Sequence, residues 1–250
     1  MKKNYQKFFL LSIFAFSLIT FNANRINITY QNTNITSSGI NINSSTNSNS
    51  QSSSSDSSED KNDKVEYAKK VNVYLNPSVQ TSNLYVNNLG TEAQHMNDIV
   101  KYMVNELSDI GFISLTYNLN YLSLKQSVAQ SNTLKSDIHF SLHSNAGGGS
   151  GSEIYTPINN THFANYIYDQ YTSKIGNFKK RGVKQTNSLY EIKNSNATHR
   201  VLLELLFHDN LTEAKYIVEN KQKIASILSK GIIDYIKEFY LNFYIIFYIK

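Results

Sequence analysis

With 250 residues and no cysteine, the chain forms neither disulfides nor thiolate metal sites, so any metal has to rest on His, Asp or Glu. A formal net charge of +5 and a pI near 9.1 suit an anionic partner such as nucleic acid, a membrane surface or an acidic cell wall, and do not choose among them. The lysines are scattered and no stacking motif accompanies them, which argues against nucleic acid.

Lys2, Lys3 and Lys7 precede the apolar run Phe8 to Phe21, broken only by Ser12, Ser17 and Thr20. About 14 residues fall short of the ~20 that a helix needs to cross a bilayer. A basic flank before such a run is the pattern of a secretory signal. Residues 1–23 are therefore expected to be a signal peptide or an N-terminal anchor, with a cleavage site near Ala23. Residues 24–66 are dominated by Asn, Ser and Thr, and six of the eight residues from Gln51 to Ser58 are serine. Too few apolar groups are present to offset the entropy of ordering such a segment, so it reads as a disordered tether. About 180 residues remain, ample for one buried core.

In that remainder, Lys70 to Leu75 alternates apolar and polar residues and meets Asn76-Pro77-Ser78, a strand ending in a turn. Between Gly90 and Gly111, Met96, Ile99, Val100, Met103, Val104, Leu107 and Ile110 form one apolar helical stripe, with Gly111 as its stop. A strand over Phe112 to Tyr117, a helix over Leu122 to Lys135 and a strand over Asp137 to His143 follow, the last running into the glycine turn at 147–149. Ser152 to Thr156 reads as a short strand and Phe163 to Ile175 as an aromatic-rich helix. Arg200 to Phe207, apolar from Val201 onward but for Glu204, is a strand buried on both faces. Glu213 to Tyr240 reads as one long closing helix. Strands alternating with helices predict a three-layer α/β fold, a mostly parallel twisted sheet flanked by helices, over residues 67–240. Residues 241–250 form an apolar aromatic tail, open to reading as an edge strand, a membrane-surface contact or an adhesive end.

Ligands of such sheets sit beyond the C-terminal ends of the strands, which directs attention to 77–80, 143–149 and 204–210. His143 closes a strand beside a glycine turn, a place where a structural, hydrogen-bonded histidine is also common. Glu92 falls in the first turn of a helix, where it complements the dipole whatever else it does. Glu204 is harder to dismiss, because burying a carboxylate alone costs several kcal/mol, so it calls for a metal, a cation or a catalytic pocket.

The stretch SDIHFSLHSNAGGGSGSEIY resembles the histidine motif of the zinc-dependent N-acetylmuramoyl-L-alanine amidases (type 3 catalytic domain), with His143, Ser144, Asn145 and Ala146 in its places. VLLELLFHDN is similar to that family's late strand, placing Glu204, Phe207 and Asn210, and RGVKQTNSLYEIKNSNATHRVLLE resembles the connection leading to it. The resemblance runs from about Val71 to Tyr240. It implies a peptidoglycan hydrolase in which zinc, held by His143 and Glu92, activates water, Glu204 is catalytic and Asn145 helps to hold substrate. It further implies peptidoglycan as partner. The N-terminal segment, read from its own residues, adds the expectation of a secreted or cell-wall-associated location and a membrane tether, and the chain is expected to be a monomer.

The pattern departs in one place. Where the family supplies a first histidine after its first strand, NPSVQ stands, and Val79 has no donor. Gln80 is a weak oxygen donor, and Ala93 competes with Glu92 for the ligand position when counted from Asn97. His95 lies near the opposite helix face, and His139 sits about 13 Å from His143 along an unbroken strand. The third ligand is thus unassigned by sequence. A non-cutting peptidoglycan-binding module of the same fold is the principal alternative, and a surface protein using its aromatic tail for partner contacts is another.

Overall fold

The structure, a computed structural model, describes residues 69–241. The expected signal or anchor (1–23), the tether (24–66) and all but the first residue of the tail lie outside them. Six strands form one sheet in the order β2-β1-β3-β6-β4-β5: β1 Val71–Pro77, β2 Ile113–Tyr117, β3 Ile138–Asn145, β4 Ser152–Thr156, β5 Lys180–Gln185 and β6 His199–Phe207. All neighbours are parallel except β4 and β6, which run antiparallel. The helices are α1 Glu92–Leu107, α2 Leu124–Thr133, α3 His162–Thr172, α4 Tyr190–Asn194, α5 Leu211–Glu219 and α6 Lys221–Ile236. The expected α/β architecture is the observed one.

Side-chain alternation along the central strands sorts the core. Ile138, Phe140 and Leu142 of β3 join Val201, Leu203 and Leu205 of β6 and Val73 and Leu75 of β1 in the main hydrophobic cluster. Met96, Ile99, Val100, Met103 and Leu107 of α1, Ile167 of α3, and Ile224, Leu228 and Ile232 of α6 complete that cluster, so these three helices cover this face. The alternate residues His139, Ser141 and His143 point the other way, toward α2 and α4.

Thr91 caps α1, its side chain accepting the Gln94 amide, which fixes where Glu92 begins the helix. A capping box of Ser123 and Gln126 starts α2. Between β3 and β4 the chain needs glycine: Gly151 has φ +94°, and a Cβ there would come within 2.1 Å of the Lys179 carbonyl oxygen.

Two expectations are corrected, and two elements are added. The closing helix of 213–240 is two helices, because Asn220 leaves helical geometry (φ −119°, ψ 23°) and its side chain caps the Tyr216 carbonyl at 2.9 Å. Gly111 does not stop α1, which ends at Leu107 with Ser108 bonding back to Val104. The charged segment at 180–185 is an edge strand, β5, and Tyr190–Asn194 a short helix, neither anticipated from the pattern.

Candidate active site

Register assembles the site. Across β3 and β6, His143 pairs with Glu204, and across β6 and β4, Glu204 pairs with Glu153, so three side chains from adjacent strands stand in a row on one face. The start of α1 brings Glu92 to the same place: its Oε1 is 3.0 Å from His143 Nδ1. From the opposite side Glu191 of α4 places Oε1 3.3 Å from His143 Nε2. One imidazole, only 12% exposed, therefore lies between two buried carboxylates.

Each carboxylate is held from behind. Asn83 Nδ2 donates to Glu92 Oε2 at 2.6 Å and to Gln80 Oε1 at 3.0 Å, and the Ser144 amide approaches Glu92 Oε1 at 3.4 Å. Asn76 Nδ2 donates to Glu191 at 3.4 Å. Gln80 Nε2 lies 3.4 Å from His143 Nδ1, and a half-turn of its carboxamide would bring the oxygen there instead.

Burial alone would pull His143 down, but its bonds to Glu191 and Glu92 outweigh that and push it up to about 10. Burial raises Glu92 and Glu191 too, yet the bonds to His143 prevail and hold both below the usual carboxylate range. Glu204 differs. Burial, opposed by His143 and reinforced by Glu92, Glu153 and Glu191, pushes it up to about 7, and its Oε2 is buried with no hydrogen-bond partner. The neighbouring Glu153 is paired with Arg181 at 3.0 Å and with Asn145 at 2.7 Å.

A cavity of about 420 Å3 opens onto this cluster. His143, Glu191 and Glu204 are on its polar side. Pro77, Val79, Leu122, Leu124, Leu189 and Leu202 give it an apolar wall, and Gln80 stands at its edge.

Of the residues singled out from sequence, His143, Glu92 and Glu204 come together. Asn145 does not line the cavity; its side chain bonds Glu153 at 2.7 Å and the Ala146 amide at 2.8 Å. It is Glu92 and not Ala93 whose position on α1 faces His143. His95 turns away to the Leu89 carbonyl at 2.6 Å, and His139 is fully buried against Ser131 and stacked on Tyr74. Glu191 was missed; the available signal was a lone acidic residue between Tyr190 and Ile192, just ahead of β6. Among the described residues no three His, Asp or Glu side chains form a ready metal-holding group. The geometry explains this: Glu92 and Glu191 address opposite nitrogens of one ring.

The family described as N-acetylmuramoyl-L-alanine amidase matches residues 80–234, and the chain belongs to it. The match opens at Gln80, just past Val79, and includes Glu92, His143, Glu191 and Glu204. The chain is accordingly a peptidoglycan amidase by family. Among solved structures it is similar to an N-acetylmuramoyl-L-alanine amidase of Clostridium difficile 630, at 20% identity over 68% of this chain and 98% of that one, with a TM-score of 0.58. The catalytic domain of CwlV from Bacillus (Paenibacillus) polymyxa var. colistinus gives 19% identity, 67% and 98% coverage and a TM-score of 0.62. AmiC2 of Nostoc punctiforme gives 16%, 67% and 97%, and 0.61. At these identities the structural likeness speaks for the fold. No curated protein matches the sequence.

Proposed function

We propose that this chain cleaves the amide between the lactyl group of N-acetylmuramic acid and the first L-alanine of the stem peptide, with Glu204 as general base. The observation that carries the reading is the unpartnered, buried carboxylate oxygen of Glu204 in the same cavity as His143. A carboxylate left that way is costly unless something arrives to engage it.

Zinc suits the donor set in two positions. Ligands of a tetrahedral zinc with bonds of about 2.0–2.2 Å lie roughly 3.3–3.6 Å apart, a few tenths of an ångström wider than the 3.0 Å between His143 Nδ1 and Glu92 Oε1. Three carboxylates, Glu92, Glu191 and Glu204, surround a single imidazole, so even with His143 protonated the pocket carries an excess of negative charge that favours a divalent cation. Val79 contributes no donor, and Gln80 is the polar side chain within reach of Nδ1. His143 and Glu92 would hold the ion, with Gln80 as the remaining neighbour. Bound there, zinc would polarise the scissile carbonyl and make its water acidic.

The chain's own groups account for the rest. Glu204 takes a proton from the attacking water and returns it to the leaving amine, a task suited to a carboxyl poised near neutrality. The apolar wall of Pro77, Val79, Leu122 and Leu124 seats the aliphatic parts of the substrate and excludes bulk water. We further read residues 1–23 as the export signal or anchor and 24–66 as a tether that lets the domain of 67–240 reach the wall as a monomer.

A non-cutting peptidoglycan binder is the second reading, favoured by Val79 and by the engagement of both ring nitrogens of His143. Purified sacculi separate the two. Zinc-dependent release of L-alanine amino termini, abolished in Glu204→Gln, supports hydrolysis. Tight sacculus binding with no release at any zinc concentration leaves the binder.

A further inference from the structure

Glu191 is a buried acid that the general-base reading leaves without a task. Its α4 is five residues long, and the residue is 4% exposed. Glu92 shares His143 with it, at the other ring nitrogen, whereas two further buried carboxylates nearby have different neutralisers. Glu153 has Arg181 at 3.0 Å, and Glu213 takes the Gly151 and Phe207 amides, each at 2.8 Å. The side-chain partners of Glu191 are His143 Nε2 at 3.3 Å and Asn76 Nδ2 at 3.4 Å. Asn76 is itself fixed, its Oδ1 accepting from Asn118 Nδ2 at 3.3 Å, while Asn118 clasps the backbone of Leu122 through both atoms of its amide. A polar chain thus runs from the cavity rim through Asn118 and Asn76 to Glu191 and ends on the imidazole.

We propose that Glu191 is a positioning residue: it accepts the Nε2–H of His143 and so presents Nδ1, with its lone pair, to the ion that Nδ1 shares with Glu92. The proposal rests on the zinc reading above and says how a site with Val79 in place of a histidine would hold metal. A neutral imidazole carries one proton, and the acceptor beside one nitrogen decides which nitrogen is left to coordinate. A carboxylate behind a ligating histidine fixes the ring's tautomer and angle and raises its basicity, and its loss costs roughly 10–100-fold in metal affinity. With one fewer protein ligand, this chain depends more on that contribution. Direct ligation by Glu191 fits less well, since it sits at the nitrogen opposite the one Glu92 reaches.

The test uses the full chain and zinc itself. Zinc affinity is measured by competition with a chromophoric chelator for the wild type, Glu191→Gln and Glu191→Leu. Alongside, nitrogen-detected NMR of the zinc-loaded wild type reads the state of the His143 ring. Glu191→Leu should bind zinc about 10–100-fold more weakly, Glu191→Gln, which keeps an acceptor oxygen, should stay within a few-fold of the wild type, and Nε2 should carry the proton while Nδ1 is metal-bound. Wild-type affinity in Glu191→Leu overturns the proposal, as does Glu191→Gln falling as far as Glu191→Leu, the result expected of a direct ligand. Nε2 bound to zinc overturns it without any variant, which covers a Glu191→Leu protein that fails to fold. A wild type that binds no zinc defeats the zinc reading itself, and that result is read from the wild-type arm alone.

Discussion

The two faces of strands β3 and β6 contrast in every physical respect. On one, Ile138, Phe140, Leu142, Val201, Leu203 and Leu205 are packed dry beneath α1, α3 and α6. On the other, His139, Ser141, His143 and Glu204 sit under two short helices, α2 and α4, beside a cavity. Because successive side chains alternate, a single strand supplies both a stabilising and a reactive surface, and neither dilutes the other. Stability and chemistry should therefore be separable by substituting neighbours in sequence.

The largest effect tests the reactive face. Glu204→Gln should lower amide cleavage by roughly 10^2–10^4-fold, the usual contribution of a positioned general base, with stability altered by no more than about 1 kcal/mol. Release of L-alanine amino termini from sacculi, beside urea unfolding of the same protein, gives both numbers. Activity near that of the wild type would remove Glu204 from the chemistry.

Its neighbour tests the other face. Leu203, fully buried, points away from the cavity. Leu203→Ala should cost about 2–5 kcal/mol through lost burial and the cavity left behind, while each folded molecule keeps its activity. Loss of activity without loss of stability would mean that the faces are coupled.

These neighbours also mark what sequence alone reveals. Glu204 was legible because one acid in an otherwise apolar strand is an anomaly, and His143 because a strand ran into a glycine turn beside it. The α/β order was legible from strand and helix periods. Glu191 was not, since a five-residue helix has no period to read and only the fold brings it 48 positions back to His143. For β5 the reason is different: as an edge strand it shows its lysines to solvent, so its residues carry no buried alternation. The break at Asn220 escaped because an apolar stripe continues on both sides of it. Asn145 was placed by motif, yet its side chain is occupied with Glu153 and Ala146, a matter of contacts that no motif encodes.

A third prediction concerns acid. His139, on the reactive face, is held down to about 4 by burial, against a slight opposing pull from Glu191, and it stacks on Tyr74 and bonds Ser131. The unfolded chain binds this proton near 6.5 and the folded chain only near 4. Between those values the unfolded state holds more protons, so stability falls as pH drops from 6.5 toward 4 and this histidine contributes no further change below that. The slope owed to one such group is at most about 1.4 kcal/mol per pH unit. Urea unfolding across that window should give a shallower decline for His139→Leu than for the wild type; parallel curves would show that the residue titrates normally.

The smallest effect lies farthest from both faces, in the outer layer. Lys221, which opens α6, bonds Asp98 of α1 at 2.7 Å, with side chains 18% and 32% exposed. Water reaches both groups, so attraction is weakened by solvent and offset by the entropy of fixing two long side chains. Lys221→Met should therefore cost no more than about 1 kcal/mol, keep activity unchanged, and lose even that difference at 1 M salt, where screening acts within about 3 Å. Melting the two proteins at low and high salt measures it. A larger, salt-independent cost would place the pair among the groups that hold α1, and with it Glu92, against the sheet, and the helix layer would then belong to the reactive face as much as to the dry one.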